Sequence, residues 1–133
     1  MFSIIIPTYE RHDILRRSVE YYKNFDCNVL IADSSAEKLN CKFPSNIIYR
    51  HLPGLIFTKK IIKVAETIAT KYVCMTGDDD FLLESSLRTG SNFLDQNLDF
   101  VSVQGRYLTF ALTDNEVTHT LKNSNNEANY AVT

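Results

Sequence analysis

The sequence predicts an α/β fold: a Rossmann-like, open, mainly parallel sheet with helices on both faces. Three observations predict it. Short runs of apolar, often β-branched residues alternate with segments whose apolar residues recur at helical spacing. Three of those runs stop at polar clusters, Pro7-Thr8-Tyr9-Glu10-Arg11, Asp33-Ser34-Ser35 and Asp78-Asp79-Asp80. With 133 residues, 44 % of them hydrophobic and 23 % charged, the chain has the length and composition for a self-supporting core, which excludes disorder throughout.

The elements follow in order. Residues 2–6 form a β-branched run ending at Pro7 and read as a buried strand. Ile14, Leu15, Ser18, Val19 and Tyr22 then share one helical face, with Asp13 as the expected N-cap. Residues 29–32 and 47–49 are short apolar runs, the second ended by Pro53-Gly54. Ile61, Ile62, Ala65, Ile68 and Ala69 form one continuous helical stripe. Residues 72–75 read as a strand, and Leu83, Leu87, Gly90 and Leu94 as a helix. Residues 100–103 read as a further strand, and 107–112 as one more that could run antiparallel. Strands separated by helices imply βαβ units and a parallel sheet covered on both sides. The expected organisation is an α/β domain over 1–113, with 114–133 as a loop or incomplete C-terminal element.

Composition narrows the function classes. The formal net charge of −2 disfavours a nucleic-acid partner, which usually calls for a basic surplus. No apolar run approaches the ~20 residues of a membrane span. The opening residues lack the pattern of a secretory leader, so a cytoplasmic setting is expected. Neither of the glycine-rich phosphate loops can be written in this sequence. Cys27, Cys41 and Cys74 have no paired spacing, and free thiols are expected. His12, His51 and His119 show no metal-ligand spacing.

In an open parallel sheet, ligands sit beyond the carboxyl ends of the strands. All three polar clusters should converge there. Adjacent carboxylates repel one another, and a hard divalent cation such as Mg²⁺ or Mn²⁺ relieves that repulsion while leaving sites for substrate phosphates. The alternative is a solvated acidic turn capping the next helix. Asp33 reads as a carboxylate accepting hydrogen bonds from a base or ribose, or as an Asx-turn residue. Tyr9 offers a face for stacking a base, or packs half-buried. Lys59 and Lys60 lie near the site edge, where phosphate contact competes with a solvated first helical turn.

These residues resemble the opening half of family 2 glycosyltransferases of the GT-A fold. The run Phe2-Ser3-Ile4-Ile5-Ile6-Pro7-Thr8-Tyr9-Glu10-Arg11 is similar to their apolar strand followed by Pro-Thr-Tyr-Asn. Asp33-Ser34-Ser35 resembles their Asp-Asp-x-Ser, and Asp78-Asp79-Asp80 their Asp-x-Asp. The match in order and spacing covers about residues 2–110. Glu10 departs from the usual asparagine, Gly77 stands where many members have an aspartate, and the helix over 61–69 lacks the common Ala-x-Asn-x-Gly.

The resemblance implies a nucleotide-diphosphate-sugar donor, UDP-linked by preference, and a saccharide or other hydroxyl acceptor. Pro7, Thr8, Tyr9 and Glu10 would line the nucleotide, Asp33 would bond the base and Asp78 the ribose. Asp79, or Asp80, would hold Mg²⁺ or Mn²⁺ on the diphosphate. The family's catalytic base lies well beyond the Asp-x-Asp. No motif supports Asp114 or Glu116 in that role, so the base is expected to be missing and the chain to be a donor-binding part. A non-catalytic nucleotide-binding or assembly domain of the same fold is the alternative. A receiver-type signalling domain fits less well, because its acidic residues should directly follow the first strand.

Overall fold

A computed structural model describes residues 1–113, 116–123 and 126–128. The elements run β1 (Phe2–Thr8), α1 (His12–Tyr22), β2 (Asn28–Asp33), β3 (Ile47–His51), α2 (Phe57–Ala65), β4 (Tyr72–Met75), α3 (Glu84–Gln96), β5 (Tyr107–Thr113), β6 (Glu116–Asn123) and β7 (Asn126–Ala128). The chain divides into two compact units, Met1–Ser91 and Asn92–Thr133, and the division falls within α3.

The first unit holds a four-stranded sheet of order β3-β2-β1-β4. Every pairing in it is parallel, with Thr8 opposite Asp33, Asp33 opposite His51, and Ile5 opposite Met75. The fold is therefore α/β with a parallel open sheet. Strand alternation sorts the core into two layers. Ile4, Ile6, Val29, Ile31 and Ile47 point to one face and pack with Leu15 and Tyr22 of α1 and with Leu39. Ile5, Leu30 and Ala32 point to the other and pack with Val64 of α2. The helices α1 and α2 thus cover opposite faces. Connections leave β1 on one side and reach β4 from the other, so the strand order reverses between β1 and β4.

The second unit holds an antiparallel sheet of order β5-β6-β7. Its first strand coincides with the one expected over 107–112. The segment 114–133, expected to be a loop or incomplete element, contributes β6 and β7. The signal lay in the alternation of Val117-Thr118-His119-Thr120-Leu121, which has the period of a strand.

Three local expectations are corrected. Residues 100–103 form no strand: Phe100 N–H closes a turn onto the Asn97 carbonyl at 3.1 Å, and Val101 is 96 % exposed. An apolar run without a neighbouring strand has no ladder to join, and Phe100 packs its ring edge-on against Phe93 instead. Asp13 is not the N-cap of α1. Arg11 takes that position without a side-chain capping bond, and Asp13 lies in the first turn, where its charge still favours the helix N-terminus. The helical stripe expected over 61–69 is cut short, since α2 ends at Ala65: its buried residues are Lys60 and Val64, Ile62 and Ala65 are exposed, and Ile68 and Ala69 lie beyond the helix. The stripe is rotated because Lys60 finds hydrogen-bond acceptors in the interior.

Candidate functional site at the carboxyl edge of the parallel sheet

All three polar clusters meet at the carboxyl ends of β1, β2 and β4. Their side chains form two linked networks. The first is centred on Asp33, which is fully buried. Its Oδ1 accepts from Ser35 N–H at 2.8 Å and Ser35 Oγ–H at 2.5 Å, closing an Asx-turn. Its Oδ2 accepts from the Tyr49 hydroxyl at 2.5 Å and lies 3.2 Å from His12 Nε2. Burial alone would raise the Asp33 pKa, but the donors from Ser35, Tyr49 and His12 outweigh it and hold the carboxyl below its ordinary value. Burial and the bond to Asp33 push the Tyr49 hydroxyl up.

The second network is centred on Asp78, which is also buried. Thr8 Oγ1 donates to its Oδ2 at 2.6 Å, and Arg11 pairs with its Oδ1 at 2.8 Å. The Ser18 hydroxyl of α1 donates to the Asp78 carbonyl. The other arm of Arg11 meets Asp79 Oδ2 at 2.8 Å, and that hydrogen bond holds the Asp79 carboxyl below its ordinary value. Asp79 and Asp80 are exposed. Tyr22, whose hydroxyl burial raises to about 12, pins the end of the loop. It donates to the Asp80 carbonyl at 3.1 Å and accepts from Leu82 N–H at 2.9 Å.

Lys60 joins the networks from below. Only 3 % of it is exposed. Its ammonium donates to the Thr8 carbonyl at 2.6 Å and to Ser34 Oγ at 3.0 Å, tying the ends of β1 and β2 together. Burial lowers its pKa, opposed by the negative charges of Asp33 and Asp78. The expectation of a solvated first turn holds for Lys59 and fails for Lys60.

The remaining predicted residues divide. Pro7 lies inside β1 opposite Ala32, half-buried, one position short of the edge. Tyr9 stands 62 % exposed, leaving a ring face open for stacking. Glu10 adopts a left-handed backbone with φ of 53°. Its N–H donates to Ser35 Oγ at 2.7 Å and its carboxylate accepts from Ala36 N–H at 2.7 Å, so it clasps the loop after β2. Residues other than glycine adopt that conformation uncommonly, and these two bonds hold Glu10 in it.

Among the described residues, no group of three or more His, Cys, Asp or Glu side chains is placed to hold a metal. Two carboxylates do converge. A Cβ built on Gly77 would lie 2.9 Å from Asp79 Oδ1 and 3.1 Å from Asp80 Oδ2. One small volume above Gly77 is therefore faced by both. Asp78 takes no part, because its carboxylate is turned inward to Thr8 and Arg11. Two carboxylates with open sites around them suit Mg²⁺ or Mn²⁺, which keep water and phosphate ligands.

Sequence reasoning placed Arg11 in the first polar cluster and Lys60 near the site edge without their bonds, and missed His12, Tyr49 and Ser18 as parts of this constellation. His12 was legible by position, directly after the first cluster. Lys60 carried a fainter signal, a lysine four residues before Val64 on a helix otherwise lined by isoleucine. No protein-family model matches the chain, and no curated protein matches it.

Proposed function

We propose that the chain binds a divalent-metal complex of a nucleotide-diphosphate-sugar, UDP-linked by preference, as the donor-binding part of a family 2-like glycosyltransferase in the cytoplasm. The observation that carries this reading is the pair of carboxylates converging over Gly77 beyond the carboxyl end of β4, where the strand order reverses, with the exposed ring of Tyr9 on the loop after β1. A crevice where strand order reverses is the ordinary place for a ligand in an open parallel sheet.

In this reading Tyr9 stacks on the base, and Asp79 with Asp80 holds Mg²⁺ or Mn²⁺. When bound, that ion neutralises the charge developing on the departing diphosphate. Lys60 and Thr8 fix the end of β1, and Asp78 orders the loop that carries the two carboxylates. Arg11 is free to turn from Asp79 toward a phosphate oxygen once a cation takes its place. The acceptor is a saccharide or another hydroxyl compound, and no described residue is assigned as its base.

Calorimetry with UDP and Mn²⁺ tests this. Binding that requires Mn²⁺, with the metal-dependent part lost in Asp79→Ala, supports it. Absence of binding at millimolar ligand, with the fold intact by circular dichroism, overturns it.

One observation favours a second reading, a non-catalytic nucleotide-binding or assembly domain of the same fold. Arg11 already bridges Asp78 and Asp79 and supplies the positive charge that a cation would supply. Nucleotide binding that is indifferent to chelator and is lost in Arg11→Ala would favour it.

A further inference from the structure

The Asp33 carboxylate has no capacity left for a ligand. Both oxygens are engaged, Oδ1 by Ser35 twice and Oδ2 by Tyr49 and His12, and the residue is fully buried. A base cannot reach it without displacing one of these partners. Of its partners, Tyr49 and His12 both reach solvent in part, but the Tyr49 hydroxyl is engaged by Asp33 and Leu39 N–H, whereas His12, with 27 % of its side chain exposed against 0 % for Asp33, has a second ring nitrogen. It opens α1, directly after the loop that carries the exposed ring of Tyr9.

Tautomer follows from the partner. The Tyr49 hydroxyl gives its only proton to Asp33 and accepts from Leu39 N–H at 3.0 Å. An ionised, acceptor-only carboxylate requires His12 Nε2 to be the donor. In the neutral imidazole the other nitrogen, Nδ1, is then an acceptor, directed away from Asp33.

We infer that His12 is the base-reading residue of this site, relaying the buried carboxylate outward as an imidazole acceptor. An acceptor at that point pairs with a ring N–H. Uracil N3–H and guanine N1–H meet the requirement, while cytosine N3 and adenine N1 are themselves acceptors and face it lone pair to lone pair. A mispaired buried polar group is rejected more strongly than a missing methylene. The inference rests on the nucleotide-binding reading above and adds the chemical class of the base.

The test compares UDP with CDP by calorimetry in Mn²⁺, since the two share ribose, diphosphate and metal. The wild-type chain is expected to prefer UDP by roughly tenfold, the scale of one hydrogen bond. His12→Ala should bind the two alike. His12→Gln should restore the preference, because a side-chain amide carries a donor for Asp33 and an acceptor for the base on one group. Equal binding of UDP and CDP by the wild type overturns the inference and leaves nucleotide binding standing. A preference that survives in His12→Ala does the same. Absence of binding by either nucleotide overturns both readings. Where His12→Ala does not fold by circular dichroism, the wild-type ratio and its persistence in His12→Gln decide.

Discussion

Lys60 departs furthest from the environment its sequence context suggests. It sits among isoleucines on a helix, yet its ammonium is buried against the Thr8 carbonyl and Ser34 Oγ. Replacing it by Met keeps the apolar stem and removes both bonds, leaving the Thr8 carbonyl with Ser34 N–H alone and the buried Ser34 hydroxyl without its ammonium donor. The expected loss is roughly 1.5–3 kcal/mol, the range for hydrogen bonds to charged groups, read from urea unfolding. Gly77 poses the opposite case. A Cβ there meets only the far ends of Asp79 and Asp80, which are exposed and can swing aside. Gly77→Ala should therefore leave stability within about 0.5 kcal/mol, as for ordinary surface changes. It should still weaken Mn²⁺ binding several-fold, because the volume between the carboxylates is filled. Unchanged Mn²⁺ affinity in Gly77→Ala would remove the pair as the cation site.

At the scale of elements, α1 is the part that organises the loop after β4. It reaches that loop three times: the Ser18 hydroxyl on the Asp78 carbonyl, the Tyr22 hydroxyl on the Asp80 carbonyl and Leu82 N–H, and the Tyr21 hydroxyl on the Leu82 carbonyl at 2.9 Å. Tyr22→Phe keeps the packing of the ring and deletes the hydroxyl that serves both a donor and an acceptor. It should cost roughly 1–3 kcal/mol by thermal unfolding, the usual scale for orphaned buried polar groups. Faster amide exchange at Leu82 is the local signature to expect, with exchange at Ile4 unchanged once the global loss is subtracted. The helix was legible from its apolar periodicity. Its grip on the loop was not, because hydroxyl-to-carbonyl bonds across about sixty residues leave no periodic trace.

Across the whole molecule, burial is unequal. β1 and β2 are flanked by strands on both sides and sealed by helices on both faces, while β4 leaves Val73 and Met75 more than half exposed at 55 % and 54 %. Hydrogen exchange should find the slowest amides at Ile4, Ile6, Val29 and Ile31, and faster ones along β4. Acid stability has a definite sign. The folded pKa of Asp33 lies below its ordinary value of 3.8, so the charged group favours the folded state above that pH. Its contribution is lost as pH falls from there through the folded pKa. Asp79, depressed by Arg11, acts in the same direction but is exposed and counts for less. Asp33→Asn should lower stability at neutral pH and flatten the acid limb of the stability curve; an unaltered limb would show that Asp33 carries no charge coupled to folding.

Much of this was written in the sequence itself. β-Branched runs, their alternation with helical stripes and the polar residues that end them determine a parallel α/β sheet whose carboxyl edge collects Thr8, Asp33 and Asp78, because strand and helix periods are local properties. Which of those carboxylates face solvent was decided only in three dimensions. Beyond the local turn with Ser35, Asp33 and Asp78 spend their lone pairs on His12, Tyr49, Thr8 and Arg11, partners brought from other parts of the chain. Asp79 and Asp80 are left exposed, Asp79 against Arg11. The rotation of α2 that buries Lys60 was settled the same way, by acceptors at the ends of β1 and β2 that no reading of the helix alone contains.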